Sequence, residues 1–458
     1  MVVRLLCILL LLGLPPQAFA DERLAAANES LLNQLEVITL ASGKSQFSAY
    51  RQQLSDEQPL SPARIYSIAE AVSQFWHQQG IATGILPRTK NDPYAAVIAS
   101  EPQVPDYLML SNRVRYLLWL AQHQPWGMIS PQGWLKPGDT HGAISEIRGR
   151  LQALGDYPQG ETGSYFYDAL LEEAVLRFQA RHGLKQDGII GPATLRWLNR
   201  DPKARAQLLA YNFIRRAEFL ANLGDRYLLI NIPAYEMLLV DDNRVALRSK
   251  VIVGKPYRQT PIISGEIKNL VLNPSWRVPR RLLTHDLLPK VREDGSYITS
   301  RNFEVFDYQG DRVTKSDDEW ADIAKGKFPY RLVQKPGVGN TLGRYKFFFP
   351  NEYSVYLHDT SDKELFARSD RALSSGCIRV EKVEQLANWM ASHLVRDKQT
   401  WVRMQIEREK TQWFAFDSGL PIHLVYWTSW VDGNNIAQFR EDIYKKNQNF
   451  SLDLQASK

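Results

Sequence analysis

The cysteine content most strongly limits how this chain can be stabilised. Two cysteines occur in 458 residues, and Cys7 lies in an apolar N-terminal segment that we expect to be removed. Cys377 is then left alone, so no intramolecular disulfide can form and the fold has to rest on buried apolar surface. A lone thiol in an oxidising compartment is exposed to oxidation, which favours either deep burial of Cys377 or its use in chemistry.

The N-terminal segment has the pattern of a cleavable secretory signal. Arg4 supplies positive charge, residues 5–14 form a short apolar run, and Ala18-Phe19-Ala20 resembles a cleavage site. A transmembrane anchor is disfavoured because this run is too short to cross about 30 Å of hydrocarbon as a helix. We therefore expect residues 1–20 to be a signal peptide, and the mature protein to be exported without an integral membrane segment.

Composition and motif searches exclude several classes of protein. Hydrophobic residues make up 44% and charged residues 23%, which excludes disordered, collagen-like and coiled-coil chains. The net charge of +6 is compatible with an anionic partner but selects none. We find no paired-histidine zinc helix, no phosphate loop and no nucleic-acid-binding motif, so we expect no metal, no cofactor and no nucleic-acid partner.

The residues around Cys377 favour a catalytic role for this thiol. Ser375 and Gly376 precede it in a small polar run, which lets backbone approach a ligand, and their N–H groups can face a developing oxyanion. Arg379 follows two residues later, so in an extended segment it shares a face with the thiol. We interpret Arg379 either as a carboxylate-binding residue or as a brace for this loop.

His358 is the candidate general base. It ends an alternating stretch, residues 353–357, that we interpret as a strand, and a base at a strand end can reach a thiol on a neighbouring loop. Tyr356, on the same stretch, is a candidate substrate contact. A papain-like protease is disfavoured because there the cysteine precedes the histidine in the chain.

The segment from His358 to Arg379 resembles the signature of the L,D-transpeptidase (YkuD) catalytic domain. That signature is a strand-end His followed, after a spacer, by Ser-x-Gly-Cys-[Ile/Val]-Arg, and this chain matches it except that Ser375 replaces a second His found in many members. The resemblance implies attack by Cys377 on a tetrapeptide stem, release of D-alanine, and transfer of the thioester to the diaminopimelate amine of another stem. It implies peptidoglycan stems as donor and acceptor, and acylation of Cys377 by carbapenems.

Other reactions fit the same residues. Water as the acceptor would give an L,D-carboxypeptidase or amidase, and a lipoprotein lysine would give a protein-anchoring transpeptidase. A non-catalytic wall-binding scaffold is the alternative from another class, and it predicts that Cys377→Ala changes no activity. Other cell-wall synthesis proteins are possible partners.

A second module precedes the catalytic one. The turn Asp187-Gly188-Ile189-Ile190-Gly191-Pro192-Ala193-Thr194, set among short amphipathic helices, resembles the three-helix peptidoglycan-binding module. Such a module either contacts the wall or acts as a spacer. The order of helices, module, helix and β-rich domain resembles the YcbB-like L,D-transpeptidases.

This resemblance implies a multidomain α+β fold. We expect a mainly β catalytic domain with a capping insertion that interrupts its strands as a long irregular stretch, an α-helical scaffold, and the small three-helix module. The expected boundaries are a signal peptide at 1–20, a scaffold at 21–138 and 200–225, the module at 139–199, the catalytic domain at 226–410 with its insertion at about 279–338, and a C-terminal extension of that domain at 411–458. We expect a periplasmic location.

Overall fold

The computed structural model describes residues 16–56, 60–88, 90–160 and 163–447. Its internal contacts divide the chain into two compact units. The first contains the chain up to residue 223 together with residues 427–441, and the second contains residues 224–426 and the chain from residue 442. Most of the expected signal peptide, residues 1–15, lies outside the described residues.

The described part of the first unit is mainly helical. Its nine helices are α1 (Pro16–Ser42), α2 (Ser45–Ser55), α3 (Pro62–Gln78), α4 (Pro93–Ala99), α5 (Tyr107–His123), α6 (Ala143–Ala153), α7 (Ala169–Arg181), α8 (Pro192–Leu198) and α9 (Pro202–Leu220). The α3 helix begins where the Ser61 side chain accepts a hydrogen bond from the Arg64 N–H. Asp168 and Asp201 cap α7 and α9 in the same way, so each cap satisfies N–H groups that have no partner inside the helix.

One hydrophobic cluster runs through the first unit. The periodic apolar positions of the sequence, such as Leu35 and Val114, are buried in it, as is Phe178 of the expected module. The rings of Trp76 and Phe213 meet edge to face, with centroids 6.2 Å apart. The scaffold helices and the module therefore share a core, which sequence periodicity alone did not indicate.

Part of the expected C-terminal extension of the catalytic domain belongs to the first unit instead. Residues 427–441 form a hairpin of two strands, Ser429–Val431 and Ala437–Phe439. The Asn212 side chain accepts a hydrogen bond of 2.9 Å from the Thr428 N–H, and the Ser429 hydroxyl donates one of 2.8 Å to the Leu208 carbonyl. The expected boundary at 411–458 is therefore wrong for this hairpin, because long-range hydrogen bonds decide where it packs.

The described part of the second unit is built on β-strands. They are β1 (Tyr227–Asn231), β2 (Glu236–Asp241), β3 (Arg244–Gly254), β4 (Ile263–Leu272), β5 (Trp276–Arg277), β6 (Phe303–Phe306), β7 (Arg312–Val313), β8 (Arg331–Gln334), β9 (Tyr345–Phe348), β10 (Leu357–His358), β11 (Ala372–Ser374), β12 (Ile378–Val380) and β13 (Gln412–Val425). Nine of them form one sheet in the order β11-β3-β12-β10-β9-β4-β13-β1-β2. Because β2 also pairs with β3, the ladder closes on itself.

The sheet follows the alternation of its sequence. Inward-facing residues such as Leu270, Phe347 and Ile378 are fully buried in one cluster, which two later helices, Val383–His393 and Lys398–Arg403, help to cover. The strand β13 pairs in parallel with β1 and antiparallel with β4, so the chain after residue 411 is integral to the sheet. Apolar residues alternate along these strands because successive side chains in a strand point to opposite faces.

The expected strand at residues 353–357 is mostly a loop. Ser354 has a φ of 55°, which a strand does not allow. The Asn351 side chain holds the loop by donating a hydrogen bond of 2.7 Å to the Val355 carbonyl and accepting one of 3.0 Å from the Val355 N–H. Regular pairing starts only at Leu357, because the Asn351 side chain replaces the partner strand before that point.

The insertion is a folded α/β subdomain, which corrects the expectation of a long irregular stretch. Its strands pair in the order β5-β8-β6-β7, and its helical segments are Arg280–Leu282, Leu283–Leu287, Leu288–Glu293, Ser296–Ser300 and Asp317–Lys325. A separate hydrophobic cluster buries Val305, Trp320 and Phe328. Each helix and strand of the insertion is too short for the spacing of its apolar residues to show a clear helical or strand period. The sequence therefore provided no secondary-structure prediction for this segment.

Candidate active site

Two parallel strands bring the predicted site residues onto one sheet face. In the β10 and β12 pairing, His358 lies beside Arg379, and the Ile378 N–H donates to the Tyr356 carbonyl at 3.0 Å. Tyr356 therefore lies beside Cys377, and alternation points all four predicted side chains to the same face. The intervening residues of the two strands, Leu357 and Ile378, face the hydrophobic core.

The loop before the thiol is held by its own side chains. Gly376 has a φ of 116°, a conformation that favours glycine. The Ser374 hydroxyl accepts from the Gly376 N–H at 3.1 Å and donates to the Cys377 carbonyl at 2.6 Å, while the Thr260 hydroxyl donates to the Gly376 carbonyl at 2.8 Å. These bonds fix the position of the Cys377 backbone before any ligand binds.

The predicted oxyanion donors need one correction. The Gly376 N–H already donates to Ser374, so it is not free to bind an oxyanion. The Cys377 N–H, by contrast, makes no hydrogen bond with any residue that the structure describes. Ser375 accepts a hydrogen bond of 2.9 Å on its hydroxyl from Arg258. Its backbone N–H, like that of Cys377, has no acceptor among the described residues, so the loop offers the Ser375 and Cys377 N–H groups as backbone donors.

Cys377 is a half-buried thiol in a polar environment. Burial raises its pKa, while hydrogen bonds from Tyr356 and the positive charges of Lys346 and Arg379 act in the opposite direction. Burial and the neighbouring thiol raise the pKa of the Tyr356 hydroxyl, while the Trp276 side chain acts to lower it. The resting thiol is therefore protonated, but its surroundings favour a thiolate once one forms.

His358 is buried and neutral. Burial, together with the charges of Arg379, Lys346 and Lys363, lowers its pKa to about 3. Its Nδ1 is buried without a hydrogen-bond partner in the described part of the chain. The imidazole can accept a proton, and it lies diagonally across the strand pair from Cys377. No direct hydrogen bond joins the two among the described residues, so its role as the base stays a prediction.

Lys346 is a neighbour of the thiol that sequence reasoning missed. It pairs with His358 across β9 and β10, and its Nζ lies 4.0 Å from the centroid of the Tyr356 ring. It forms no ion pair in the described ranges, and burial lowers its pKa. The available sequence signal was a single cation within the aromatic run Tyr345–Phe349. A cation without a counter-ion beside Cys377 contributes electrostatically to that thiol.

Arg379 acts as a brace in this structure. Its guanidinium forms a 2.9 Å ion pair with Asp362, in the loop that follows His358. The Arg379 side chain is 18% exposed and that of Asp362 49%. This contact favours the bracing interpretation of Arg379, while contact with substrate remains a prediction.

The chain after His358 is positioned by a buried carboxylate. Asp359 accepts from the backbone N–H groups of Arg344 and Thr360, at 2.8 and 2.7 Å. Gly343 has a φ of 61°, and a Cβ at this position would collide with the Asp359 carboxyl group. Glycine is therefore required here, and Asp359 fixes the backbone immediately after His358.

The insertion reaches the nucleophile loop through Arg258. This side chain donates to both carboxylate oxygens of Asp286, one of them at 3.0 Å, and to the Ser375 hydroxyl at 2.9 Å. The pairing with Arg258 lowers the pKa of Asp286, so this carboxyl group is ionised at neutral pH. Asp286 lies in a π-helical turn, Leu283–Leu287, a geometry that occurs often at functional sites.

The described residues contain no cluster of His, Cys, Asp or Glu suited to a metal ion. Among the same residues, no helix combines the length and apolarity that crossing a membrane requires.

Two curated proteins are similar to parts of this chain. A Haemophilus influenzae protein named "Putative L,D-transpeptidase" is 38% identical over 229 residues, which cover 49% of this chain and 45% of that protein. "N-acetylmuramoyl-L-alanine amidase CwlM" of Mycobacterium tuberculosis is 42% identical over 72 residues, 14% of this chain and 18% of that protein. The chain therefore spans less than half the length of either relative.

A solved L,D-transpeptidase from Xylanimonas cellulosilytica aligns with 65% of this chain and 99% of its own, at 14% identity and a TM-score of 0.20. That score is too low to support a structural conclusion. Family profiles cover the two regions recognised in the sequence. The profile for a "Putative peptidoglycan binding domain" matches residues 140–198, and that for the L,D-transpeptidase catalytic domain matches residues 225–407. The chain therefore carries an L,D-transpeptidase catalytic domain that contains Cys377 and His358, preceded by a peptidoglycan-binding domain.

Proposed function

We propose that this protein is a periplasmic L,D-transpeptidase that uses Cys377 to form 3-3 crosslinks between peptidoglycan stem peptides. The observation that carries the proposal is the sheet face shared by Tyr356, His358 and Cys377 within a matched catalytic domain. A positioned thiol, a neutral imidazole and a hydroxyl on one face are the groups that acyl transfer requires.

In the first half-reaction, the sulfur of Cys377 attacks the carbonyl carbon at the L-centre of residue three in a tetrapeptide donor. The thiol proton passes to His358, and the Cys377 N–H donates to the developing oxyanion. Collapse of the tetrahedral intermediate breaks the amide bond to the terminal D-alanine, whose nitrogen takes the proton from His358. A thioester between Cys377 and the donor stem remains, and D-alanine leaves.

In the second half-reaction, the side-chain amine of an acceptor diaminopimelate attacks the thioester carbonyl. His358 accepts a proton from this amine and returns it to the departing Cys377 sulfur. The new amide bond joins two stems at their third residues. Water in place of the amine would give the tripeptide product of a carboxypeptidase.

The charges around the site support this order of events. Neutral forms of Cys377 and His358 dominate in the resting site, because burial opposes both the thiolate and the imidazolium. The cations of Lys346 and Arg379 stabilise negative charge on the sulfur. We expect ionisation to accompany binding of the donor, when the attacked carbonyl is in place.

Products from disaccharide-tetrapeptide test the proposal. The mature protein is incubated beside Cys377→Ala, His358→Gln and the exposed His393→Gln, and the products are resolved by mass spectrometry. We expect a crosslinked tetra-tri dimer from the parent and from His393→Gln, and none from the other two. Tripeptide monomer without dimer would assign hydrolysis instead, and equal product from Cys377→Ala would overturn a thiol mechanism.

The proposal includes inhibition by carbapenems and export to the periplasm. A carbapenem is expected to add its mass to the parent protein and not to Cys377→Ala, because the β-lactam carbonyl would acylate the same sulfur. Fractionation of cells that express the full chain is expected to recover a periplasmic protein without residues 1–20. Recovery in the cytoplasm at full length would contradict the export proposal.

A further inference from the structure

A cavity of about 360 Å³ lies within the first unit. Its walls come from α5, the turn after α6, the end of α7, the first turns of α9, and the hairpin at residues 436–439. The α6 turn and α7 belong to the matched peptidoglycan-binding domain, whereas the other segments lie outside it. The cavity is therefore a composite site that the module alone would not form.

The lining carries more positive than negative charge. Its ionised groups are four arginines and one aspartate: Arg113, Arg177, Arg181, Arg205 and Asp156. Asp156 is buried and is paired with Arg181, which donates to it at 2.7 Å. Arg177 is half exposed and has Glu173 at 3.6 Å. Arg113 and Arg205 form no ion pair with any residue in the described ranges, so the cavity has an excess of cations.

Two of these arginines donate hydrogen bonds to neutral groups of the fold. Arg205 is fully buried and donates to the Arg200 carbonyl at 3.1 Å and to His182 at 3.0 Å. Arg113 donates to the Asn435 carbonyl at 2.6 Å, which holds the hairpin loop. Burial and the nearby charge of Arg181 lower the pKa of Arg113. Neutral carbonyls therefore satisfy donors of these arginines without balancing their charge, and a bound anion would balance it.

The remaining walls are apolar. Leu117 and Leu154 are buried in the lining, and the exposed side chains Tyr116 and Ile436 stand beside them, 38% and 43% exposed. A cavity of this size with a cationic side and apolar walls suits a short peptide that ends in a carboxylate better than a bare inorganic anion. Peptidoglycan stems, which carry small apolar side chains and free carboxylates, have this chemistry.

We propose that this cavity is a second binding site that takes the carboxylate-bearing end of a peptidoglycan stem peptide. This second-site proposal rests on the proposed function, that the protein acts on peptidoglycan. It goes further by assigning recognition of the stem carboxylate to Arg113 and Arg177. Arg181 and Arg205 are positioning residues that hold the walls. The site recruits wall peptide independently of the chemistry at Cys377.

Hydrogen exchange read by mass spectrometry tests the site with residue-range resolution. The full-length Cys377→Ala protein is titrated with disaccharide-tetrapeptide, with the same compound amidated at its carboxylates, and with inorganic phosphate. Arg113→Gln and Arg177→Gln are compared with Arg115→Gln, an exposed arginine on the same helix that does not line the cavity. Melting temperatures of all variants report whether the first unit remains folded.

The proposal predicts that tetrapeptide slows exchange at residues 154–156 and 436–439. Arg113→Gln and Arg177→Gln should each raise the half-saturating ligand concentration at least fivefold there, while Arg115→Gln leaves it unchanged. Equal protection by the amidated compound, or by phosphate alone, would overturn recognition of a carboxylate.

Protection at residues 374–379 reports the catalytic site separately. If ligand protects residues 374–379 but not residues 154–156 and 436–439, the second site is refuted and the proposed function stands. If the cavity is protected but the parent protein forms no crosslink, the second site stands and the proposed activity fails. Protection in neither region would overturn the cavity assignment.

Discussion

Asp286 of the insertion and Arg258 of the catalytic sheet form a two-point ion pair beside the nucleophile loop. The same guanidinium donates a hydrogen bond of 2.9 Å to Ser375, two residues before Cys377. The subdomain that follows β5 is thereby connected to the loop that carries the thiol. This connection is polar, so its strength depends on both partners being charged.

Removal of the Asp286 charge should loosen the insertion. The Asp286 side chain is 41% exposed, so the pair contributes about 1 kcal/mol or less to closure. For Asp286→Asn we expect up to about fivefold faster limited proteolysis within residues 279–338, since proteolysis of an open form follows its population. Asp322→Asn, which breaks an exposed pair with Lys325 in the same subdomain, serves as the control. Equal rates in the two variants would refute the connection.

Lys346 should lower the pKa of the Cys377 thiol in the folded protein. Replacing this cation with Met removes a favourable interaction with the thiolate, so the thiol pKa should rise. The pH dependence of Cys377 alkylation by iodoacetamide measures this shift. Lys268→Met, at an exposed lysine of β4 paired with Glu266, should leave the profile unchanged. An unchanged profile in Lys346→Met would show that its charge does not act on the thiol.

Burial of neutral His358 should make the second unit sensitive to acid. Its folded pKa of about 3 lies below the ordinary value of 6.5, so the unfolded chain binds the proton more tightly. Stability from this group is fully present above pH 6.5 and is lost as the pH falls from 6.5 toward 3.

Urea unfolding at pH 7 and at pH 4 measures this loss. We expect His358→Gln to lose less stability on acidification than the parent, whereas the exposed His393→Gln should behave like the parent. His182, whose pKa burial lowers in the first unit, contributes equally to all three proteins. The same acid loss in His358→Gln as in the parent would contradict a neutral buried imidazole.

Gly343→Ala should disrupt the site through Asp359. The substitution combines a positive φ with a collision against a buried carboxyl group, which together should cost more than about 2 kcal/mol of stability. Gly339 also has a positive φ, of 82°, but a Cβ there would meet no atom within 4 Å. Gly339→Ala should therefore cost only about 1 kcal/mol. Thermal unfolding compares the two, and equal losses would exclude the collision as the cause.

Local sequence was enough to predict the main candidate residues of the catalytic site. The Ser-x-Gly-Cys-Ile-Arg motif indicated Cys377 as the candidate nucleophile, and the stretch before His358 indicated that residue as the candidate base. The structure places both residues on one sheet face, and their catalytic roles stay predictions. The same reasoning placed residues 353–357 in a strand, since alternation cannot show that Asn351 takes the place of a partner strand.

Contacts between distant segments decided the features of the site and the fold that local sequence did not predict. Lys346 became a neighbour of Cys377 only when β9 paired with β10, and the hairpin at residues 427–441 joined the first unit through Asn212. The insertion acquired a core because its scattered aromatic residues meet only after folding.

The sequence by itself determined the candidate nucleophile, its candidate base and the two family domains. The tertiary structure decided the charge environment of the thiol, which backbone N–H groups remain free beside it, and which segments form the cationic cavity of the first unit. Electrostatic interaction depends on distance in space, and burial depends on all the segments that pack around a group. Neither quantity is encoded in the local pattern of residues.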